Sequence, residues 1–313
     1  MKHLFIINPK ARLVRDQGRD IAEEIHTFFS NYPEVQYDIH ITRWQRDAVG
    51  FVRRYATGSP EIVRVYAIGG TGTLFEVVNG VIGLPNTQIS AYPMGLANAF
   101  VSYFGKDKID SFRSIWNLVF SRVITLDAIR CGDSYGIAWG AIGLDARANQ
   151  DGNRLLNNVG IPPPLCFWAA GAYHTLFVNN LRHLKISVDG EIFDGDYTSV
   201  IVANEPTYGF NISPAVDARP DNGVLDMYLI RPTSFMASIP MSLGYENGAY
   251  RKWPDKISHL RGKKITLSSK RTITICIDGE VLLDSAIEFE IIPKAIDFAL
   301  PATVTMPAQE AVK

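Results

Sequence analysis

The sequence predicts an α/β amino-terminal domain with a doubly wound, mostly parallel sheet, followed by a mostly antiparallel β domain. Up to about Thr125, short apolar runs alternate with helical patterns, the order that builds parallel strands joined by crossover helices. Beyond Thr125, β-type runs follow one another, separated by Gly, Asp, Asn and Pro. A chain of 313 residues suits two domains, and it can bury a large core without a disulfide or metal scaffold.

Each element has its own signal. Leu4–Ile7 is an apolar run stopped by Asn8-Pro9 and reads as the first strand. Ile21, Ile25 and Phe28 give helical spacing to Gly18–Phe29; Tyr37–Thr42 reads as a strand and Ala48–Tyr55 as a helix. Ile62–Ile68 is an apolar strand that enters Gly69-Gly70-Thr71-Gly72-Thr73. Behind that loop, Leu74, Val77, Val78, Val81 and Ile82 fall on one helical face, and Ile89–Tyr92 is the next strand. In the second half Lys185–Val188, Tyr197–Ala203, Leu225–Ile230, Lys264–Leu267 and Thr272–Ile277 read as strands. Leu165–Leu181 interrupts them as a helix, begun by Pro162-Pro163-Pro164. The expected organisation is residues 1–125, residues 126–300 and a frayed tail over 301–313.

Composition excludes several classes. A net charge of −1 rules out a strongly basic nucleic-acid binder, and 47% hydrophobic with 20% charged residues is the profile of a folded globular chain. Cys131, Cys166 and Cys276 are far apart without a CxxC pair, which points to a reducing cytoplasm rather than a zinc cage. The apolar run after Met1-Lys2-His3 is too short for a signal-peptide core, and Leu165–Val178 is too short for a membrane span. The expected location is the cytoplasm, at most peripheral to the inner face of the membrane.

Strand, Gly-Gly-Thr-Gly-Thr and helix is an order that presents backbone N–H groups and the positive end of a helix dipole to an anion. It is neither GxGxxG nor a Walker A loop, and alone it equally describes a tight turn.

The segment Gly69–Val81 resembles the GGDGTxxEVxNG signature of the diacylglycerol kinase, sphingosine kinase and NAD kinase superfamily. Other blocks follow in family order. Asn8-Pro9-Lys10-Ala11-Arg12 resembles NPxSG, and Thr42 with Asp47-Ala48 the stretch after the second strand. Pro93–Phe100 resembles PxGTxNDFA, and Gly140–Ala146 resembles GxGfDA. Asn204 to Asp226, with Tyr208-Gly209, Ser213-Pro214-Ala215 and Asp221-Asn222-Gly223, resembles the long block ending in DDGxLD; Asp278-Gly279-Glu280 resembles the late DGE. The pattern is most similar to the bacterial lipid kinases of the diacylglycerol kinase type.

This resemblance implies a nucleotide-binding α/β domain of NAD kinase type, a β-sandwich domain, and an active site in the cleft between them. It implies ATP against Asn8, Pro9, Lys10, Ala11, Arg12 and Thr42, and against Gly69, Gly70, Thr71, Gly72, Thr73, Leu74, Phe75 and Glu76, with Gly95 and Leu96 closing the pocket. Asp278 becomes the base that takes the proton from a lipid hydroxyl, with Glu280 beside it. Asp189-Gly190-Glu191 repeats the same tripeptide between β-type runs, and Asp-Gly is a common hairpin turn, so only block order favours Asp278. Mg²⁺ would lie at Asn222 and the carbonyls of Arg219 and Val224, where the other reading is a plain turn. The implied partners are a lipid substrate at a membrane surface, no nucleic acid and, by analogy with some relatives, a second copy of the chain.

The departures from the family pattern fall on the chemistry. Thr71 stands for the acid of GGDGT, Leu96 and Ala99 for the threonine and aspartate of GTxND, and Asn222 for the second acid of DDG. Arg12 stands for a glycine and could neutralise phosphate directly, or could be a solvated loop residue. Three readings follow: an ATP-dependent lipid kinase with an altered metal network, a degenerate member that binds nucleotide or lipid without catalysis, and a kinase of a soluble substrate. Leu165–Val178 reads as a core helix or as an acyl-chain or membrane contact, and Arg251, Lys252, Trp253 and Lys256 as a headgroup contact or a solvated loop.

Overall fold

The computed structural model describes residues 1–11, 13–14, 20–158, 163–208, 212–234, 238, 240–241 and 249–307. The chain divides into two compact units, Met1–Leu126 with Lys294–Lys313, and Asp127–Pro293.

The first unit alternates strand and helix: β1 (Lys2–Ile7), α1 (Ile21–Phe29), β2 (Gln36–Ile41), α2 (Asp47–Thr57), β3 (Val63–Gly69), α3 (Thr71–Val81) and β4 (Thr87–Pro93). Three short helices follow, α4 (Ala99–Tyr103), α5 (Ile109–Phe112) and α6 (Ile115–Val119). The strands are parallel in the order β4-β3-β1-β2, with Ile7 opposite both Ile41 and Ile68, and Gly69 opposite Pro93. Strand β3 is buried at every position, as a central parallel strand covered on both faces must be. The apolar residues of each helix meet the sheet: Ile21, Ile25 and Phe29 of α1, and Leu74, Val77, Val78 and Val81 of α3, are buried. Asp20 caps α1 by accepting from the Glu23 N–H at 3.0 Å.

Strand order reverses at β1. The chain leaves β1 toward β2 on one side and comes back past it to β3 on the other, so the switch point lies between β1 and β3. In such a sheet the ligand crevice lies at the carboxyl ends of the strands beside the switch point. From Lys294 the chain is again part of this unit: Phe298 pairs in parallel with Ile89, and the Ser90 hydroxyl donates to Ala299 O at 2.7 Å. Pro301 and Val304 are buried here, and Arg122 donates to Val304 O at 3.0 Å, so the start of the expected tail is packed; residues 308–313 lie outside the described residues.

The second unit is antiparallel. It contains β6 (Ser134–Gly136), β7 (Trp139–Gly143), α7 (Leu144–Asn158), α8 (Pro163–Phe177), β8 (Arg182–Val188), β9 (Glu191–Tyr197), β10 (Ser199–Ala203), β11 (Leu225–Ile230), β12 (Ile257–Gly262) and β13 (Lys264–Ile277). Strands β5 (Arg122–Cys131) and β14 (Glu280–Leu300) each have residues in both units. The order β12-β11-β10-β7-β13-β14 is antiparallel throughout. Strand β13 serves two neighbours, β8 through Ile265–Ser268 and β7 through Ile275–Ile277, and its pairing with β14 shifts between Ser268 and Ile273. One long strand therefore spans the separate predicted runs Lys264–Leu267 and Thr272–Ile277. Helix α7 had no counterpart in the sequence reading, because Leu144–Asn158 is mostly polar; Pro162 lies outside the described residues.

Candidate functional site

In the first unit the loops at the carboxyl ends of the strands are stitched together. Asn8 follows β1: its N–H donates to Ile68 O at 3.0 Å, its side-chain oxygen accepts from Lys10 N–H at 2.9 Å, and its amide donates to the Thr73 hydroxyl at 3.1 Å. One residue thus ties the loop after β1 to the first turn of α3. Ala11 is buried in that loop, Pro9 and Lys10 are exposed, and Arg12 lies outside the described residues. Thr42 follows β2, and its N–H donates to Ile7 O at 2.9 Å. Gly69 O, at the end of β3, accepts from Met94 N–H at 2.8 Å and Gly95 N–H at 3.2 Å. Asn98, at φ +42°, closes the Gly95 loop with its own side chain, accepting from Gly95 N–H at 3.1 Å and donating to Gly95 O at 2.8 Å.

Gly70 and Gly95 touch backbone to backbone. A Cβ on Gly95 would overlap the Cα of Gly70, and one on Gly70 would lie 3.2 Å from the Cα of Gly95. The crossing therefore admits no side chain, and the start of α3 stays bare. Gly70 caps α3 without a side-chain bond, and its carbonyl accepts from Thr73 N–H at 3.1 Å and Leu74 N–H at 3.2 Å, which leaves the N–H groups of Thr71 and Gly72 as the helix start's donors to an outside acceptor. Such a start suits an anionic phosphate.

The remaining residues of the expected nucleotide set do different jobs. Leu74 and Phe75 are buried in the core, so only their backbone is at the loop. The Glu76 carboxylate accepts from Arg46 N–H at 2.8 Å and Ala48 N–H at 3.1 Å, which caps α2 in place of a side chain at its own N-cap. Gly72, Thr71 and Leu96 are at the loop, and Ala99 N–H lies 3.4 Å from the Thr71 hydroxyl. A cavity of about 210 Å³ lined by Val81, Leu84, Thr87 and Lys294 opens near the amino end of β4, the opposite edge of the sheet, and has no part in this arrangement.

In the second unit Asp278 sits on the hairpin between β13 and β14, at φ +46° with Gly279 at +89°. Its carboxylate is 3% exposed and accepts from three successive backbone N–H groups: Ile137 at 2.7 Å, Ala138 at 3.1 Å and Trp139 at 2.9 Å. Asp278 N–H in turn donates to Trp139 O at 3.0 Å. Burial raises its pKa and outweighs the three donors, which pull it down. Glu280 is half-buried and pairs with Ile277 across the hairpin. Asp189 closes its own hairpin in the same backbone conformation, with φ +49° and Gly190 at +97°, and accepts from Lys263 and Lys264 N–H, but it is exposed.

Sequence reasoning missed the partner of Asp278. Glu205 is 1% exposed and lies near enough for its charge to oppose that of Asp278; Oε2 accepts from Thr207 N–H at 3.2 Å, and Oε1 is buried without a hydrogen bond. Burial first, and then the charge of Asp278, raises its pKa well above normal against the pull of the Thr207 N–H. Asn204 and Glu205 both donate N–H bonds to Ala138 O, at 2.8 and 3.1 Å. The Ile137–Trp139 backbone is therefore held from both sides. Asn204 Oδ1 and Trp139 Nε1 are also buried without a bond, and the Trp139 ring packs 4.1 Å from Tyr208. The only local signal for Glu205 was an acid two residues beyond the apolar strand Ser199–Ala203.

The donor set at the turn after Ala218 does not fit Mg²⁺. Arg219 grips the Asp221 carboxylate at 2.9 and 3.0 Å, and the exposed Asn222 Oδ1 accepts from Val224 N–H at 3.1 Å. This Asx turn is tied to a buried carboxylate, Gly223 N–H donating to Asp127 Oδ2 at 2.7 Å, and its own exposed side chain is a neutral amide, whereas Mg²⁺ is usually held by one or two carboxylates and several waters. Among the described residues no group of three or more His, Cys, Asp or Glu could hold a metal. Cys131, likewise, is an unreactive thiol, its pKa pushed up to about 12 by burial.

Comparison with known proteins places both units. Residues 2–131 match the diacylglycerol kinase catalytic domain, and residues 140–300 match the YegS C-terminal NAD kinase beta sandwich-like domain. A Staphylococcus aureus (strain MRSA252) protein named "Putative lipid kinase SAR0780" is 26% identical over 243 residues, 74% of this chain and 75% of that one. A "Putative lipid kinase" of Staphylococcus aureus (strain Mu3 / ATCC 700698) is 26% identical over 240 residues, with the same coverage. A crystal structure of a "putative diacylglycerol kinase" from Bacillus anthracis str. Sterne superposes with a TM-score of 0.71 at 21% identity, covering 96% of this chain and 97% of that one. A second Bacillus anthracis str. Sterne structure, described as a diacylglycerol kinase, gives 0.66 at 20% identity over 97% and 98%. At these identities the solved structures establish the shared fold: an α/β domain and a β-sandwich domain.

Proposed function

The chain belongs to the diacylglycerol kinase-type lipid kinase family, and from that premise we propose that it transfers the terminal phosphoryl group of ATP to the hydroxyl of a diacylglycerol-like lipid. The observation that carries the reading is the start of α3 at the Gly70–Gly95 crossing, where two glycine backbones meet and no side chain caps the helix, an arrangement that suits a phosphate. Asn8 holds the loop after β1 against it, and the N–H groups of Thr71 and Gly72 are the donors assigned to the phosphate in this reading. ATP supplies the activated phosphoryl group. Asp278 takes the proton of the lipid hydroxyl as the new O–P bond forms and the bond to the leaving nucleoside diphosphate breaks. Its raised pKa suits a base that must accept a proton, and phosphoryl transfer otherwise asks mainly for positioning. No step is routed through Mg²⁺; the Asn222 side chain is already engaged by Val224 N–H.

A second reading keeps the binding and drops the transfer. It is favoured by the neutral Thr71–Ala99 contact and by the three backbone bonds that already engage both oxygens of Asp278. Titration calorimetry with ATP, with and without Mg²⁺, separates the cases when paired with a labelled-phosphate assay. Binding with transfer supports the kinase, and binding without transfer supports the degenerate member. The absence of nucleotide binding under both conditions would overturn both.

A further inference from the structure

Helix α8 is apolar on both sides, and only one side is covered. Cys166, Ala170 and His174 are buried toward α7. His174 Nε2 lies 2.9 Å from Asp151 Oδ2, and Phe167 packs so closely on Gly152 that a Cβ there would come within 2.5 Å of its ring. Toward solvent the helix shows Leu165, Trp168, Tyr173, Leu176 and Phe177, at i, i+3, i+8, i+11 and i+12. Leu165, Trp168, Tyr173 and Leu176 share one face of about 140° of arc, and Phe177 is exposed at the end of the helix, with Leu165 55%, Tyr173 54% and Phe177 75% exposed. The helix contains no Asp, Glu, Lys or Arg. A helix that meets water normally carries charge on its outer face, and a contiguous exposed apolar face marks a surface that something covers.

The carboxyl end of α8 indicates what covers it. Arg182 donates to Asn179 O at 3.2 Å and Leu181 O at 2.7 Å, and Arg147 donates to Asn180 Oδ1 at 3.3 Å, while the Asn180 amide donates to His174 O at 2.7 Å. Arg271 joins them, since the charges of Arg147 and Arg271 both oppose that of Arg182. Among the described residues none of these three arginines is paired with a carboxylate. Three like charges gathered beside an apolar stripe are stabilised by an anionic surface. In the other basic cluster from the sequence, Arg251 pairs with Asp217 at 2.6 Å, and Trp253 packs on the core around Ile201, Tyr228 and Ile257.

We propose that the outer face of α8, with Arg147, Arg182 and Arg271, docks on an anionic phospholipid surface, the helix lying in the plane of the interface. Its 15 residues reach about 22 Å, too short to span a bilayer, and no helix among the described residues is long and apolar enough to do so. Leu165, Leu176 and Phe177 enter the acyl boundary, Trp168 and Tyr173 suit headgroup depth, and the arginines meet phosphate. A bilayer offers the apolar and the anionic chemistry side by side, as this face requires. The inference shares with the proposed function only the expectation of a lipid environment. Its test uses no nucleotide, so either can fail without the other.

The test is flotation of the full chain with phosphatidylcholine vesicles and with phosphatidylcholine/phosphatidylglycerol vesicles. The expected result is salt-sensitive binding to the anionic vesicles alone. It should weaken about tenfold or more in a Leu176→Asp, Phe177→Asp variant whose melting and circular dichroism match the wild type, and also weaken in Arg271→Glu. Failure of the folded wild type to bind the anionic vesicles, or equal binding by the double variant, would overturn the proposal. Equal binding to both vesicle types would remove the role of the arginines. Gel filtration covers the remaining occupant: a dimer that the double variant dissolves, without vesicle binding by either protein, would assign the face to a second copy.

Discussion

The backbone N–H of Ala99 reaches the Thr71 hydroxyl at 3.4 Å, so two positions at which the family pattern has aspartates are neighbours here and both are neutral. Two carboxylates this close repel unless a cation or proton lies between them, whereas a hydroxyl and a methyl need neither. Each of the two residues also begins a helix, α3 and α4, where backbone N–H groups add positive potential. The loop is thereby suited to an anion without a counter-ion bound in advance.

Restoring both acids tests that relationship. The Thr71→Asp, Ala99→Asp double variant is expected to lose on the order of 1–2 kcal/mol in chelator and to recover most of it with Mg²⁺. The wild type should melt at the same temperature in both buffers. Thermal melts with and without Mg²⁺ read the difference, and a wild type that Mg²⁺ stabilises would count against it.

Asp278 and Asp189 should separate sharply under the same substitution. Asp278→Asn turns an amide NH₂ toward buried backbone N–H groups and leaves acceptors missing, at a cost of about 3 kcal/mol. Asp189→Asn changes an exposed turn and should cost under about 1 kcal/mol. Urea unfolding of the two variants measures both, and equal losses would mean that burial is not what distinguishes the two hairpins.

Glu205 predicts a pH dependence of definite sign. Its folded pKa lies well above that of the unfolded chain, so the folded state binds more protons once pH exceeds the ordinary carboxylate value near 4.5. Its contribution is fully present below that value and is lost as pH rises. Glu205→Gln, neutral at every pH, should therefore gain stability relative to wild type as pH rises from about 4.5 to 7. Denaturant midpoints across that range decide it.

His3 acts in the opposite direction. It is buried against Phe29 and Tyr66, with Nδ1 2.7 Å from the Tyr66 hydroxyl, and burial, aided by Arg64, lowers its pKa from 6.5 to about 4. Between those values the unfolded chain binds the extra proton. Stability is therefore full above about pH 6.5 and falls as pH drops toward 4, by at most on the order of 3 kcal/mol. Comparing wild type with His3→Gln at pH 7.5 and pH 4.5 isolates the effect, since the carboxylates common to both cancel.

Much of the first unit is legible in the sequence because its signals are local. Strand β3, the glycine loop and the apolar face of α3 are each contained in consecutive residues; the ends of β3 differ from those read by one residue, and α3 begins three residues earlier, taking in Thr71-Gly72-Thr73 of the loop. What stayed hidden depends on distant packing. Glu76 occupies a motif position yet caps α2, some 30 residues upstream, and Glu205 becomes unusual only because the fold brings it to Asp278 and removes water. Helix α7 was unreadable for a related reason: its polar face dominates a segment whose covered side is completed by α8. The twin Asp-Gly-Glu turns make the limit plain. They share backbone conformation and carboxylate bonding, and only burial, a tertiary property, tells them apart.

The most direct measurement of the central claim is transfer of label from γ-labelled ATP to diacylglycerol in mixed micelles, by wild type and by Asp278→Asn checked for retained nucleotide binding. Labelled phosphatidic acid from the wild type, and its loss by a factor of about 100 or more in the folded, nucleotide-binding variant, is the predicted result. Equal transfer by both would contradict the role of Asp278. No transfer to diacylglycerol or to any lipid of an extract, by a wild type that binds ATP, would contradict phosphoryl transfer itself.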